Sequence, residues 1–330
     1  MAHFYKKPAA NTSLFINPLP SSKKTLNTLE KIYALILPLV KDKLYQIKPI
    51  KRGNGRAPYE PEFLFRIIFI RVLYNLSERE LREHILDRVS FMKFVGISSE
   101  SDYPSRKTLR RFLKSLGDVG LGSDILNNLF EKLHQDGIKV SKGTIVDAKY
   151  VEAQGRKSDS SKRRDKDAKF SKKNNETHFG YKLHIAIDKK TKLVTKVEVT
   201  PGNVADITIL KKWVEKDKLY KKTSYIIADR GYDSRSDLIA YKRQYDLKLI
   251  TGKRKLSKVE KTILSSSIDK HNCRISAIRS HVEHVFARLV TEFKIYKARF
   301  YDLKTNSIWL EFMLLILNAK ILLKRNYAFM

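Results

Sequence analysis

The second half of this sequence predicts an α/β fold, and three observations carry the prediction. Residues Phe179 to Ile187 alternate cleanly, with Tyr181, Leu183, Ile185 and Ile187 on one face. Leu193 to Thr200 alternates again after the polar turn Asp188 to Lys192, so the two segments read as a hairpin. Tyr225-Ile226-Ile227-Ala228 runs apolar without alternation into Asp229 and a glycine turn, the pattern of a strand covered on both faces.

From the N-terminus, residues 1–56 form an arm with one helix, Leu26 to Leu37, ended by Pro38, and a basic connector, Lys48 to Arg56. Residues 57–138 read as a helical domain. Glu62 to Leu76 is apolar nearly all round and predicts a buried helix. Ser77-Glu78-Arg79-Glu80 has the capping-box pattern and opens a helix running to about Arg88. Phe91 to Val95 gives a short helix stopped at Gly96. Pro104-Ser105 opens another, in which Arg106, Lys107, Arg110, Arg111 and Lys114 flank Leu109, Phe112, Leu113 and Leu116. Short helices with a basic last member fit a helix-turn-helix plan for DNA; an ordinary solvated helix face has the same spacing. Asp124 to His134 completes this region, stopped at Gly137.

Residues 139–330 carry the α/β domain. Thr144 to Val151 reads as a strand with Asp147 in its middle, followed by a basic insert, 155–178, too polar to bury itself and expected to order on a polyanion. After the hairpin, Pro201-Gly202-Asn203 breaks the chain, and Asp206 is positioned to cap a helix carrying Ile207, Leu210, Trp213 and Val214. Ser234, with Asp237 three residues on, caps a helix to about Tyr245. Leu247 to Thr251 is a fifth strand. A lysine-rich connector then leads to a helix beginning near Ile275, and Ile308 to Leu323 is a closing helix. Three strands in a meander, then helix, strand, helix, strand, helix, is the order of the RNase H-like fold, here a mixed five-stranded sheet with helices. Its first and fourth strands lie side by side, which makes Asp147 and Asp229 neighbours.

The chain of 330 residues has room for this core and a smaller domain, and 42% hydrophobic content places it among globular proteins. Its 67 Lys and Arg against 35 Asp and Glu leave a charge of +32, which calls for a polyanion, DNA or RNA, as partner. A single cysteine, Cys273, excludes an intrachain disulfide framework or a four-cysteine zinc site and fits a reducing cytosol. Met1 to Pro20 has no signal-type apolar core, and Glu311, Asn318 and Lys320 interrupt the apolar run near the C-terminus. The expectation is a cytoplasmic protein with no membrane partner.

In Ile275 to Leu289, Ile275, Ile278, Val282, Val285, Phe286 and Leu289 form a helical stripe. Arg279 and Glu283 stand four apart on its flank. Such a pair alone is ordinarily a surface salt bridge; after two strand-end aspartates, Glu283 is the natural third ligand. Three hard carboxylates suit Mg²⁺ or Mn²⁺. Two such ions support in-line phosphoryl displacement by a water or 3′-hydroxyl with no nucleophilic side chain, and the sequence offers none.

Ile145-Val146-Asp147-Ala148, Gly180-Tyr181-Lys182, Pro201-Gly202-Asn203-Val204-Ala205-Asp206, Ala228-Asp229-Arg230-Gly231-Tyr232-Asp233 and Arg279-x-x-x-Glu283 resemble the successive blocks of bacterial insertion-sequence DDE transposases, best those of the group named after insertion sequence five. Gly55 to Tyr59 and Leu73 to Glu78 also look like that group's N-terminal domain. The resemblance implies catalytic, metal-binding roles for Asp147, Asp229 and Glu283 with two ions, and a DNA-phosphate contact for Arg279. It implies a bacterial, nucleoid-associated protein that binds terminal inverted repeats, cleaves there and joins 3′ ends to target DNA as a homodimer. Lys182, Arg230 and Arg288 join Arg106, Lys107, Arg110 and Arg111 as candidate DNA contacts. The sequence departs from the family's end signature at Ser276, where a tyrosine is expected, and at Val290, where a lysine is, with Arg288 or Lys294 as replacement cations. Two other readings remain open here: a decayed copy that only binds DNA, and an RNase H-like nuclease without strand transfer.

Overall fold

A computed structural model describes residues 20–47, 58–121, 123–135, 143–154, 165–173, 176–252 and 261–325. The N-terminal arm before residue 20, the basic connector from Lys48 to Arg56, the stop at Gly137, residues 155–164 of the insert and the lysine-rich connector after Gly252 lie outside them. The chain divides into two compact units, residues 1–129 with 311–330, and residues 130–310.

The first unit is helical. Helix α1 (Pro20–Gln46) runs straight through Pro38, where the sequence predicted a stop. An internal proline costs about 3 kcal/mol. Leu29, Ile32, Tyr33, Ile36, Val40 and Leu44 recur at helical spacing and are all buried, and at roughly 1.5–3 kcal/mol per buried side chain they outweigh that cost. Against α1 pack α2 (Pro61–Leu73), buried nearly all round, and the short α4 (Val89–Val95), while α3 (Glu78–Asp87) packs on α4 and α2. Tyr33 meets Phe69 and Phe94 edge-on, with centroids 5.4 and 5.3 Å away. The capping box forms: Ser77 Oγ accepts from Glu80 N and Glu80 Oε2 from Ser77 N. Gly96 ends α4 at φ 85°, a left-handed conformation that favours glycine. Ser105 caps α5 (Arg106–Asp118), which buries Leu109, Phe112, Leu113 and Leu116, and α6 (Ser123–Gln135) follows.

The second unit is built on a six-stranded mixed sheet. Strand β1 (Gly143–Glu152) pairs antiparallel with β3 (Glu176–Asp188) and parallel with β5 (Tyr225–Ala228), which pairs parallel with β6 (Lys248–Thr251). On its other edge β3 pairs with β4 (Val194–Pro201) and, through its first residues, with β2 (Lys169–Lys173). The meander and the adjacency of first and fourth predicted strands are as expected, and the order fits an RNase H-like fold. The extra strand is β2, so the described part of the insert 155–178, expected to order only on a polyanion, already pairs with the sheet. Its lysines suit an edge strand, where charge discourages pairing with other chains.

Two glycines of the sequence motifs are explained by crowding. A Cβ on Gly180 would meet the backbone of the β1 end, with Ala153 N at 2.8 Å, and one on Gly202 would stand 2.8 Å from Lys169 O. One sheet face packs on α7 (Asp206–Lys211), its π-helical continuation Lys212–Lys216, and α8 (Arg235–Tyr245). There Val146, Ala186, Ile226, Ala228 and Leu249 meet Ile209, Leu210, Trp213 and Tyr241. The other face packs on α9 (Lys261–Phe293). This helix starts well before Ile275, because the apolar stripe marks only the part that touches the sheet; Asp269, Lys270, Cys273 and Arg274 before it are exposed. The last helix, α10 (Leu303–Lys324), is long and apolar enough to cross a membrane, but 78% of its apolar window is buried. From Glu311 onward it groups with the helical unit, where Phe312 stacks on Phe65 at 5.1 Å.

Candidate active site

Register places the first two acids together. In β1 the even positions Val146 and Ala148 lie opposite Ala186 and His184 on the α7 side, which sends Asp147 to the α9 side. Ala228 lies opposite Val146, so Asp229, the next residue after β5, lies alongside Asp147. Asp229 caps a single 3₁₀ turn, its Oδ1 accepting from Arg230 N at 2.6 Å. Asp147 Oδ1 accepts from Ala148 N at 2.8 Å.

Arg279 of α9 joins them. Its Nη2 donates to Asp147 Oδ2 at 3.2 Å and its Nη1 to Asp229 Oδ1 at 3.3 Å, across 132 and 50 residues of sequence. Its buried Nε has no partner among the described residues. Burial pushes the Asp147 carboxyl above its ordinary range, and the Ala148 N–H and the Arg279 guanidinium oppose that rise without cancelling it.

Glu283 is not gathered with the aspartates. Four residues advance a helix by slightly more than one turn, so when Arg279 leans onto the sheet Glu283 is carried toward solvent, and it is exposed. Among the described residues no three His, Cys, Asp or Glu side chains stand close enough together to hold a metal ion. Two carboxylates sharing one guanidinium remain, an excess of negative charge on hard oxygen donors. That donor set fits a hard divalent cation at Asp147 and Asp229.

Residues 139–319 match the family described as Transposase DDE domain, and residues 19–115 match one described as Transposase domain (DUF772). The chain belongs to the DDE transposase family. Similar solved structures include the piggyBac transposase synaptic complex with hairpin DNA, at 14% identity over 91% of this chain and 75% of that one, with a TM-score of 0.45. Two Mos1 transposase assemblies also match. They are a paired-end complex with the left transposon end (10% identity, 84% and 100% of the two chains, TM-score 0.22) and a pre-cleavage transpososome (11%, 95% and 100%, TM-score 0.20).

The remaining candidate residues of the transposase divide by what holds them. Arg106, Lys107 and Arg111 are exposed on α5. Arg110 is tied to Glu78, donating from Nε and Nη2 at 2.7 and 2.8 Å. Lys182 is an internal tie rather than an open cation: its Nζ donates to Val204 O at 2.8 Å and Asp206 Oδ1 at 2.9 Å. That pairing also corrects the reading of Asp206 as a cap, since Ala205 holds that position. Arg288 donates to Glu292 one turn on, at 2.6 Å, and Arg230 is exposed. Lys294, the alternative cation, lies just past the end of α9 and is exposed.

Reading from sequence missed Tyr232 beside the site and His184 on the α7 face of the sheet. His184 is 1% exposed, with Nε2 2.9 Å from Thr200 Oγ1 and Nδ1 3.9 Å from Asp206 Oδ1. The Tyr232 hydroxyl is buried without a partner among the described residues. Burial first, and then the carboxylates Asp206, Asp147 and Asp229, raise its pKa far above the usual phenol range. A histidine on the polar side of an alternating strand is the signal that was available for His184.

Proposed function

We propose that this transposase, as a member of the insertion-sequence-five group with an RNase H-like catalytic domain, binds the terminal inverted repeats of its own element, cleaves DNA there and joins the freed 3′ ends to target DNA. The observation that carries the reading is the pair of aspartates at adjacent parallel strands, drawn around one guanidinium and short of positive charge. Asp147 and Asp229 would hold the divalent ions, Mg²⁺ or Mn²⁺, with Glu283 as third oxygen donor. When bound, such ions activate an attacking water or 3′-hydroxyl and stabilise the leaving oxygen of the phosphodiester.

The protein's own groups do the positioning. The Ala148 and Arg230 N–H groups fix one oxygen of each aspartate, so the carboxylates are oriented before any ligand arrives. Arg279 offsets part of the pair's charge in the free protein, and its fork geometry suits a DNA phosphate as its next partner. Exposed Arg106, Lys107 and Arg111 supply sequence-independent phosphate contacts. Holding two ends at once makes a homodimer the working form, acting in the cytoplasm at the nucleoid.

The test is purified protein with labelled element ends, in Mg²⁺ or EDTA, beside Asp147→Ala, Asp229→Ala and Glu283→Ala. The expected result is metal-dependent cutting at the end that falls to background in all three variants. Binding without cutting, indifferent to the substitutions, would establish a DNA-binding relic instead.

A further inference from the structure

Beyond α9 the chain does not wander but is pinned along the end of β1. Lys294 takes a left-handed conformation (φ 51°) that ends the helix, and Ile295 and Ala298 are buried. Lys297 forms a parallel bridge with Glu152, and Ala298 N donates to Glu152 O at 2.6 Å. Asn306, 2% exposed, ties the rest: its Oδ1 accepts from Arg299 N and Phe300 N at 3.1 and 3.0 Å, and its Nδ2 donates to Phe300 O and Asp302 O, both at 2.9 Å. Leu303 N donates to Asp167 Oδ2 at 2.9 Å, anchoring the segment beside β2.

On this fixed backbone two large rings face water. Tyr296 is 64% exposed and Tyr301 57%. Neither ring nor hydroxyl has a partner among the described residues, and the ammonium groups of the exposed Lys294 and Lys297 meet no carboxylate there. Of the nearby acids, Asp167 and Asp302 accept backbone N–H groups and Glu152 is exposed. Exposed aromatics on a rigid, cation-flanked element are the ingredients of a base-stacking surface for single strands. Position agrees. β5 ends opposite Val146 and Lys297 lies opposite Glu152, so the segment stands about 16 Å along β1 from Asp147, at roughly 3.3 Å per residue. That is on the order of five nucleotides at the 3.4 Å rise of one DNA strand.

We propose that the connector Lys294–Asp302 is a docking platform for unpaired nucleotides of the DNA end. Tyr296 and Tyr301 stack on bases, and Lys294 and Lys297 pair with the flanking phosphates. The proposal rests on the transposase reading above and deepens it. A paired end offers its phosphates but keeps every base face stacked except the outer face of its last pair, so the rings discriminate frayed from closed ends.

The experiment uses the full chain in EDTA, so that binding is read apart from cutting. Anisotropy is measured for a blunt duplex and for the same duplex with a short unpaired tail carrying 2-aminopurine. The wild type is expected to prefer the tailed form and to quench the 2-aminopurine. Tyr296→Ala and Tyr301→Ala each weaken tail binding by roughly tenfold, the scale of one base stack, with blunt-duplex affinity and melting temperature unchanged. Tyr→Phe at either position retains the wild-type preference. Equal wild-type affinity for blunt and tailed DNA, or equal loss of both in the alanine variants, overturns the platform. So does a change in oligomeric mass with tail binding intact, which would make the tyrosines a contact between copies. Cutting in Mg²⁺ that depends on Asp147 but shows no tail preference sinks the platform and leaves the transposase reading standing; absence of any DNA binding sinks both.

Discussion

Two part-buried ionic clusters lie on opposite faces of one sheet, and they are balanced differently. On the α7 face, Lys182 meets one carboxylate, Asp206, and a backbone carbonyl, so the charges cancel and two of its three donors are taken. On the α9 face, Arg279 is shared between two carboxylates, one of which has its pKa raised by burial. The first arrangement closes on itself and serves to hold β3 against α7. The second leaves two carboxylates sharing one guanidinium, the excess of negative charge on which the proposed cation-binding role rests.

Arg279→Gln breaks the comparison hardest. Removing the one cation that bridges Asp147 and Asp229 among the described residues leaves a largely desolvated Asp147 beside a like charge; Asp229 is half exposed and can rehydrate, so the cost falls short of that of a fully buried ion pair. The metal-free melting temperature should fall accordingly, and added Mn²⁺ should raise it more than in the wild type, as followed by calorimetry. A variant with wild-type melting in EDTA would mean that Arg279 does not compensate the pair.

The balanced face has a weaker, pH-dependent signature. Burial pushes the His184 pKa down to about 4 from 6.5, against the attraction of Asp206, with Lys182 also lowering it and Glu198 raising it. The folded imidazole therefore stays neutral while the unfolded one takes up a proton as pH drops below 6.5. The contribution is complete above pH 6.5 and is lost as pH falls toward 4, on the order of 3 kcal/mol over that window. Stability curves of wild type and His184→Gln should converge toward low pH; parallel curves would show that the histidine does not titrate this way.

What was legible in the sequence was local chemistry and strand order. Ser77, Ser105, Ser234 and Gly96 act at the helix ends where their types predict. The alternation of β3 and the unbroken apolar run of β5 gave the topology that makes Asp147 and Asp229 neighbours. The failures share a cause, which is a partner distant in sequence. Pro38 is tolerated because α1 is held by tertiary packing. Arg110 and Lys182 looked like open cations because Glu78 and Asp206 are 32 and 24 residues away. The four-residue spacing of Arg279 and Glu283 gave their relative phase on α9 but not which of them faces the sheet. The strand β2 was hidden because an edge strand needs no apolar face.

The smallest effect sharpens the comparison most, because it separates a structural lysine from a DNA-binding one. Lys182→Met removes the balanced pair but leaves Asp206, which is partly exposed, able to rehydrate, so the cost should be about 1 kcal/mol, within the range of half-exposed ion pairs. Melting would register it as a shift of a few degrees. The decisive readout is the salt dependence of DNA affinity. A lysine that contacts phosphate contributes about one unit to the slope of log affinity against log salt. Lys107→Ala, on the exposed face of α5, should reduce the slope by about one, whereas Lys182→Met should leave it unchanged. If Lys182→Met lowered the slope as much, the Lys182–Asp206 pair would have to open onto DNA. The two faces of the sheet would then differ only in which of them is occupied first.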